Sequence, residues 1–265
     1  ASLLFKMNLP NYIGEAIGLL NQASQQNHPE ALFCMGDIYF RGEYFRYGYE
    51  QNVQKAIDYF ERAARLNNTK ALYQLGNIYI DGYYITQNIQ KGIHYYKLAA
   101  NLNDAESMNV LGTLYAEGKY VKQDCVKAIN YFLDATQSKD QKSSIKAKYE
   151  LGFLYYNMRN VMNSINKSIK YLTEASNGNI PQAQSLLGYI YYYGINVTCD
   201  INKAIYYFEL GAKNNSDISQ FYLGKLYFEG KYLKKDFNKA IYYFDLSAKQ
   251  NNVRAIFILG AIYLN

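Results

Sequence analysis

A glycine returns along this chain at Gly36, Gly76, Gly112, Gly152, Gly188, Gly224 and Gly260, at spacings of 40, 36, 40, 36, 36 and 36 residues. It carries its neighbours with it. The residue before it is Met35 or a leucine (Leu75, Leu111, Leu151, Leu187, Leu223, Leu259), and a tyrosine follows three residues later, from Tyr39 to Tyr263. Five residues before it stands a small side chain: Ala31, Ala71, Ser107, Ala147, Ala183, Ser219 or Ala255. At helical pitch these four positions share one stripe. A stripe that returns every 36 residues constrains the fold more than any other feature. One such unit is too short to bury a core alone, so successive units must stack.

The stripe belongs to a first helix, A, and a second pattern defines its partner, B. Lys55-Ala56-Ile57 leads to Tyr59-Phe60 and Ala63-Ala64, and the same phase returns at Lys91, Lys127, Lys167, Lys203 and Lys239. A first copy runs from Glu15 to Ala23. Three residues before each lysine stands Asn52, Asn88, Asp124, Ser164, Asp200 or Asp236, all residue types able to cap a helix N-terminus. Gly42, Gly82, Gly118, Gly194 and Gly230 fall where a chain leaving helix A wants a left-handed residue, while Met158 replaces the glycine in the fourth copy. Pro29 and Pro181 suit a first helical turn. The glycine inside helix A has a cost in a helix, and a close approach of A and B explains it.

Each 40-residue spacing reads as a four-residue insertion. One lies between A and B in GEYFRYGYEQN (Gly42 to Asn52), and the other precedes the fourth helix A, around Gln137 to Lys146. The lysine-rich run from Lys139 to Lys148 there reads as a solvated linker rather than a nucleic-acid patch. The whole chain is parsed as one array: a partial repeat 1–29, six helix pairs at 30–69, 70–105, 106–145, 146–181, 182–217 and 218–253, and a partial repeat 254–265. An array without polar terminal caps is expected to be a piece of a longer protein.

Composition narrows the function classes. The chain is 49% hydrophobic and 19% charged, as for a folded protein, and no apolar run approaches the ~20 residues of a membrane span. Cys34, Cys125 and Cys199 share no spacing and His28 and His94 are isolated, so neither a disulfide framework nor a metal site is expected. Unpaired thiols favour a reducing compartment. No nucleophile–base constellation and no carboxylate pair stands at a marked position, so neither an enzyme nor a cofactor is expected. The recurring lysines of helix B read as a solvated face.

The pattern A-x-x-x-L-G-x-x-Y-x-x-G, followed by D/N-x-x-K-A and a closing A-A, resembles the Sel-1-like repeat, a relative of the tetratricopeptide repeat. The resemblance implies an all-α fold, a right-handed superhelical α-solenoid of antiparallel helix pairs. It also implies a non-catalytic scaffold or adaptor that binds a protein or peptide. A cell-envelope or host-interaction factor binding peptidoglycan or a β-lactam is the alternative, and single-stranded nucleic-acid binding a further one. Where family members carry a second loop glycine, this chain has Tyr84, Tyr120, Asn196 and Tyr232.

In such a solenoid helix A lines the concave side. The face away from the stripe falls at offsets −6, −3, +1, +4 and +5 from its glycine. There the fourth to sixth copies place Tyr149, Phe153 and Tyr156; Tyr189, Tyr192 and Tyr193; and Phe221 and Phe228. These residues are the expected partner-binding groove, with mutual packing between neighbouring helices as the competing reading. Tyrosine suits a peptide groove because its ring packs apolar groups while its hydroxyl bonds backbone. Asp37, Asp81, Glu106, Glu117 and Glu229 on the same face argue against a nucleic acid. Tyr44, Phe45, Tyr47 and Tyr49 form a second candidate surface, or else a loop folded over its own repeat.

Overall fold

The computed structural model describes residues 12–264; the start of the partial repeat 1–29 and residue 265 lie outside the described residues. Among them are fourteen α-helices and no strand, an all-α repeat fold. Two compact units divide the chain, 1–124 and 125–265. The first holds α1 (Ile13–Gln25), α2 (Pro29–Arg41), α3 (Val53–Arg65), α4 (Thr69–Asp81), α5 (Ile89–Asn101) and α6 (Ala105–Glu117). The second holds α7 (Cys125–Thr136), α8 (Gln141–Asn157), α9 (Ser164–Asn177), α10 (Pro181–Tyr193), α11 (Ile201–Lys213), α12 (Asp217–Glu229), α13 (Phe237–Ala248) and α14 (Val253–Leu264). Even-numbered helices are the A type and odd-numbered ones the B type.

The interior glycine of helix A is a socket for a bulky side chain of the following helix B. A Cβ at Gly36, Gly188 or Gly224 would stand 2.6, 2.6 or 2.7 Å from the ring of Phe60, Phe208 or Phe244. Those three rings are fully buried. Burying one such ring contributes about 1.5–3 kcal/mol, more than a helical glycine costs. Tyr96 fills the socket at Gly76 and Leu172 the one at Gly152. At Gly260, in the last described helix, nothing lies within 4 Å.

Caps follow the expected chemistry in most copies. Asn52, Asn88, Asp200 and Asp236 each accept from the backbone N–H three residues on, at 2.9 or 3.0 Å. The exit glycines Gly42, Gly82, Gly118, Gly194 and Gly230 are all left-handed. The turn from B to A has its own signature, an asparagine in left-handed geometry at Asn27, Asn67, Asn103, Asn179, Asn215 and Asn251. In the loop from A to B, Asn196 also turns left-handed, whereas Tyr84, Tyr120 and Tyr232 do not, so the second loop glycine has no single substitute.

Three expectations need correction. Ser164 is the first residue of α9 and not its cap; Asn163 occupies the cap in left-handed geometry, in the copy where Met158 replaces the exit glycine. The lysine-rich run is not a linker, because Asp140 caps at Ser143 N–H (3.1 Å) and starts α8 one turn early. That helix has 17 residues where the other A helices have 12 or 13, and it absorbs the four-residue insertion. Ser144 Oγ donates to the Thr136 carbonyl (2.7 Å), which ties the added turn to the end of α7.

Nor do the recurring lysines simply face solvent. Lys55, Lys91, Lys167, Lys203 and Lys239 lie 4.1, 4.2, 5.2, 5.0 and 5.0 Å from the ring centre of the stripe tyrosine. That tyrosine in turn stacks on a tyrosine of helix B, as in Tyr191–Tyr207 and Tyr227–Tyr243, both at 5.9 Å and 3°. A cation over a ring contributes ~0.5–1 kcal/mol at an exposed site, so the ladder joins A to B along the array.

The inserted loop after α2 folds back on its own unit. Tyr44 and Tyr49 form an antiparallel bridge, and Tyr49 packs 5.5 Å from Tyr39. Phe45 and Tyr47 remain exposed at its tip.

Candidate functional site

Helices of the A type approach one another in the second unit, where α10 touches both α8 and α12. Because each contributes the same helical face, rings at matching phase converge there. Two adjoining cavities result. The first, of ≈ 590 Å³, is walled by Tyr149, Phe153 and Tyr156 of α8, Gln182, Ser185, Leu186 and Tyr189 of α10, Ile218, Phe221 and Tyr222 of α12, and the start of α14. The second, of ≈ 670 Å³, lies among Tyr193, Phe221, Tyr222, Phe228, Phe237, Phe244 and Ile258. Both volumes fall within the ~300–1,000 Å³ of ordinary ligand pockets. Phe221, Tyr222 and Arg254 wall both.

The expected groove residues therefore divide. Tyr149, Phe153, Tyr156, Tyr189 and Phe221 meet in the first cavity, and Tyr193, Phe221 and Phe228 in the second. Tyr192 walls neither. It packs within 5.7 Å of Tyr222 and 6.2 Å of Phe208, with the Lys225 ammonium 5.5 Å above it. Its offset of +4 lies only about 40° around the helix from the glycine, towards the partner helix B. Packing between helices accounts for this residue.

Tyr222 and Arg254 were not among the expected residues. Tyr222 stands two residues before its glycine, as do Leu186 and Ile258, which also wall the cavities. That offset lies about 20° past the +5 edge of the predicted face. Arg254 occupies the −6 offset of the seventh copy, the same phase as Gln182 and Ile218. The signal for both was present, in a slightly wider arc carried one repeat further.

The floor between the cavities is a packed tyrosine cluster. The Tyr222 ring lies flat on Phe208, 4.8 Å away at 5°, and its edge meets Tyr189 at 6.0 Å. Burial pushes its phenol well above the ordinary range, and the Tyr193 hydroxyl 3.5 Å away adds to this. Burial likewise raises Tyr149, Tyr156 and Tyr192. Of the cavity residues, Tyr149, Tyr156 and Tyr222 thus stay neutral and can donate or accept hydrogen bonds. Under the first cavity, Ser185 Oγ shares hydrogen bonds with Ser216 Oγ (2.5 Å) and Ser219 Oγ (2.8 Å), so its polar atom is satisfied within the protein.

Unit 1 presents a different face. Lys70 pairs with Glu30 at 2.6 Å and Arg41 with Asp37 at 3.0 Å across the same helical phase. On its B side Lys91 donates to Tyr79 Oη (2.6 Å) and Glu61 (3.2 Å), while Tyr95 Oη also donates to Glu61 (3.2 Å). Burial and the Glu61 carboxylate push Tyr95 up to about 12. A raised phenol binds its proton more tightly folded than unfolded, so its contribution is complete below the unfolded value of about 10 and fades as pH rises towards 12. The array is therefore expected to keep its thermal midpoint from pH 7 to 9 and lose it steadily from pH 10 to 12. Melting curves followed by circular dichroism check this.

Among the described residues no group of three or more His, Cys, Asp or Glu could hold a metal ion, and no helix is long and apolar enough to cross a membrane. Cys34, Cys125 and Cys199 are free thiols.

Similarity to known proteins runs through the repeat. The fold is similar to that of c5321, a protective antigen present in uropathogenic Escherichia coli strains and displaying an SLR fold. The TM-score is 0.82 and the identity 25%, over 93% of this chain and 51% of that one, so this chain spans about half the antigen's length. It is also similar in fold to a Sel1 repeat protein from Oxalobacter formigenes, with a TM-score of 0.71 and 24% identity over 88% of this chain and 99% of that chain. No curated protein sequence matches the chain. The Sel1 repeat model matches residues 29–68, 69–104, 105–139, 145–179, 181–216 and 217–252. With six copies matched across most of its length, the chain belongs to the Sel1 repeat family.

Proposed function

We propose that this array is a non-catalytic scaffold that holds a segment of a protein partner in the aromatic groove of its second unit. Sel1 repeats generally mediate protein–protein interaction, which supplies the class. The observation that carries the site is the pair of adjoining cavities, walled by aromatic rings from successive A helices. Apolar surface left open in a soluble fold marks a binding surface when it is contiguous. Phe153, Tyr193, Ile218 and Phe228 are all exposed along it. Neutral phenols beside them suit a peptide, whose backbone amides need partners when its side chains are buried.

Selection of a random displayed peptide library on the intact chain tests this reading. Selected peptides are expected to bind at least about tenfold more weakly to Phe153→Ser and Tyr189→Ser, with circular dichroism expected to show the parent's helix content in both. Tyr206→Ser changes an exposed ring outside both cavities and is expected to bind as the parent does. Equal binding to all four proteins would refute the groove.

A further inference from the structure

The groove is mostly apolar, but its charge is not balanced. Lys225 and Glu229 wall the second cavity and neutralise each other at 3.7 Å. Arg254 walls both cavities, is exposed, and makes no ion pair or hydrogen bond among the described residues. It sits in the first turn of α14, whose N–H of Ala255 is already taken by the Asn252 side chain at 3.3 Å. Asn252 also donates to Asp217 at 2.9 Å, so that carboxylate of α12 is engaged with the cap. Arg254's positive charge reaches the Tyr222 hydroxyl, at the wall that the two cavities share.

A guanidinium left unpaired between two apolar cavities is a recognition element. It offers a planar fork of donors matched to a carboxylate, and a segment that fills the aromatic cavities on either side would displace the water that screens it. Resting on the groove reading above, we propose that the partner segment is an acidic–apolar peptide. A glutamate or aspartate carboxylate of the peptide pairs with Arg254, and a large apolar side chain on each side of it enters one of the two cavities. Charge complementarity selects this occupant: a basic segment would meet Arg254 with like charge, and a wholly apolar one would leave the guanidinium desolvated without a partner. Among the described residues that wall the cavities, a polyanion such as a single-stranded oligonucleotide would find Arg254 as the one unpaired cation, with the Glu229 carboxylate in the same wall, too little positive charge to hold a phosphate backbone.

The test uses the intact chain and peptides selected on it from a random displayed library, measured by fluorescence anisotropy. Selected peptides are expected to share an acidic residue flanked by large apolar ones. Replacing that acid by its amide, Glu by Gln or Asp by Asn, is expected to weaken binding to the parent at least about tenfold and to have no further effect on Arg254→Gln. Arg254→Glu is expected to turn a second selection towards peptides with lysine or arginine at that place. Acid-free binders, or binders of unchanged affinity for Arg254→Gln, would overturn the pairing while leaving the groove standing. A library that yields no binder at all would overturn both. Displacement of the peptides by a single-stranded oligonucleotide of comparable affinity would also refute the assignment. The peptide-side replacement decides the matter even if an Arg254 variant folds poorly.

Discussion

Replacing Phe208 with alanine is expected to cost about 3–5 kcal/mol. The ring is fully buried and sits in the socket of Gly188. It also supports Tyr222 from below at 4.8 Å and touches Tyr192 at 6.2 Å. Three helices meet there, so collapse around the missing ring would have to move α10 or α12 against α11. A repeat array distributes such damage locally, because each unit leans mainly on its neighbours. Native-state hydrogen exchange should accordingly rise in α10 to α12 more than in α1 to α6. Tyr222 forms part of both cavities, so peptide binding is expected to weaken along with stability.

A second large effect tests the socket from the other side. Gly188→Ala would set a methyl group 2.6 Å from Cδ1 and Cε1 of Phe208. Alanine gains ~0.5–1 kcal/mol over glycine inside a helix, whereas overpacking a filled core costs ~1–3 kcal/mol. The packing cost wins, and a net loss of roughly 1–2 kcal/mol is expected. Gly260→Ala is the matched control. Nothing lies within 4 Å of that position. The helical preference then acts alone, with an expected gain of ~0.5–1 kcal/mol. Urea midpoints of the two variants should thus move in opposite directions. A loss at both positions would mean that the glycine serves the helix itself and not its neighbour.

Most of the fold was legible because the repeat prints the same local decision many times. A capping Asp or Asn, a left-handed glycine at the exit and a small-Leu-Gly-Tyr stripe each have a local physical cause, so reading them needs no knowledge of the neighbours. The extra turn of α8 was harder. KDQKSSIKAK has the charge of a linker, but Asp140 supplies a cap and Ser143 and Ser144, within the added turn, are buried. Local composition was overridden by what lay against it.

The cavity walls were legible in phase and not in detail. Helical geometry placed Tyr149, Phe153, Tyr156, Tyr189 and Phe221 on one face, and these residues share a cavity. The same geometry cannot say whether a ring at the edge of that face turns outward or inward. Tyr192 turns inward because Phe208 and Tyr222 offer it a packed surface. Tyr222, two residues before its glycine and just outside the predicted face, reaches the cavity wall because Phe208 holds its ring flat from below. Both outcomes depend on side chains 14 to 30 residues away in the chain, which no single repeat reveals.

Hydroxyl-radical footprinting of the whole chain, with and without a selected peptide, tests the groove most directly because it reads aromatic side chains one by one. The peptide is expected to slow oxidation of Phe153, Tyr189, Tyr193 and Phe228, while the exposed rings of Tyr206 and Tyr242 react as before. Protection of Tyr206 and Tyr242, with Phe153 and Tyr189 unchanged, would place the partner on the B helices and contradict it.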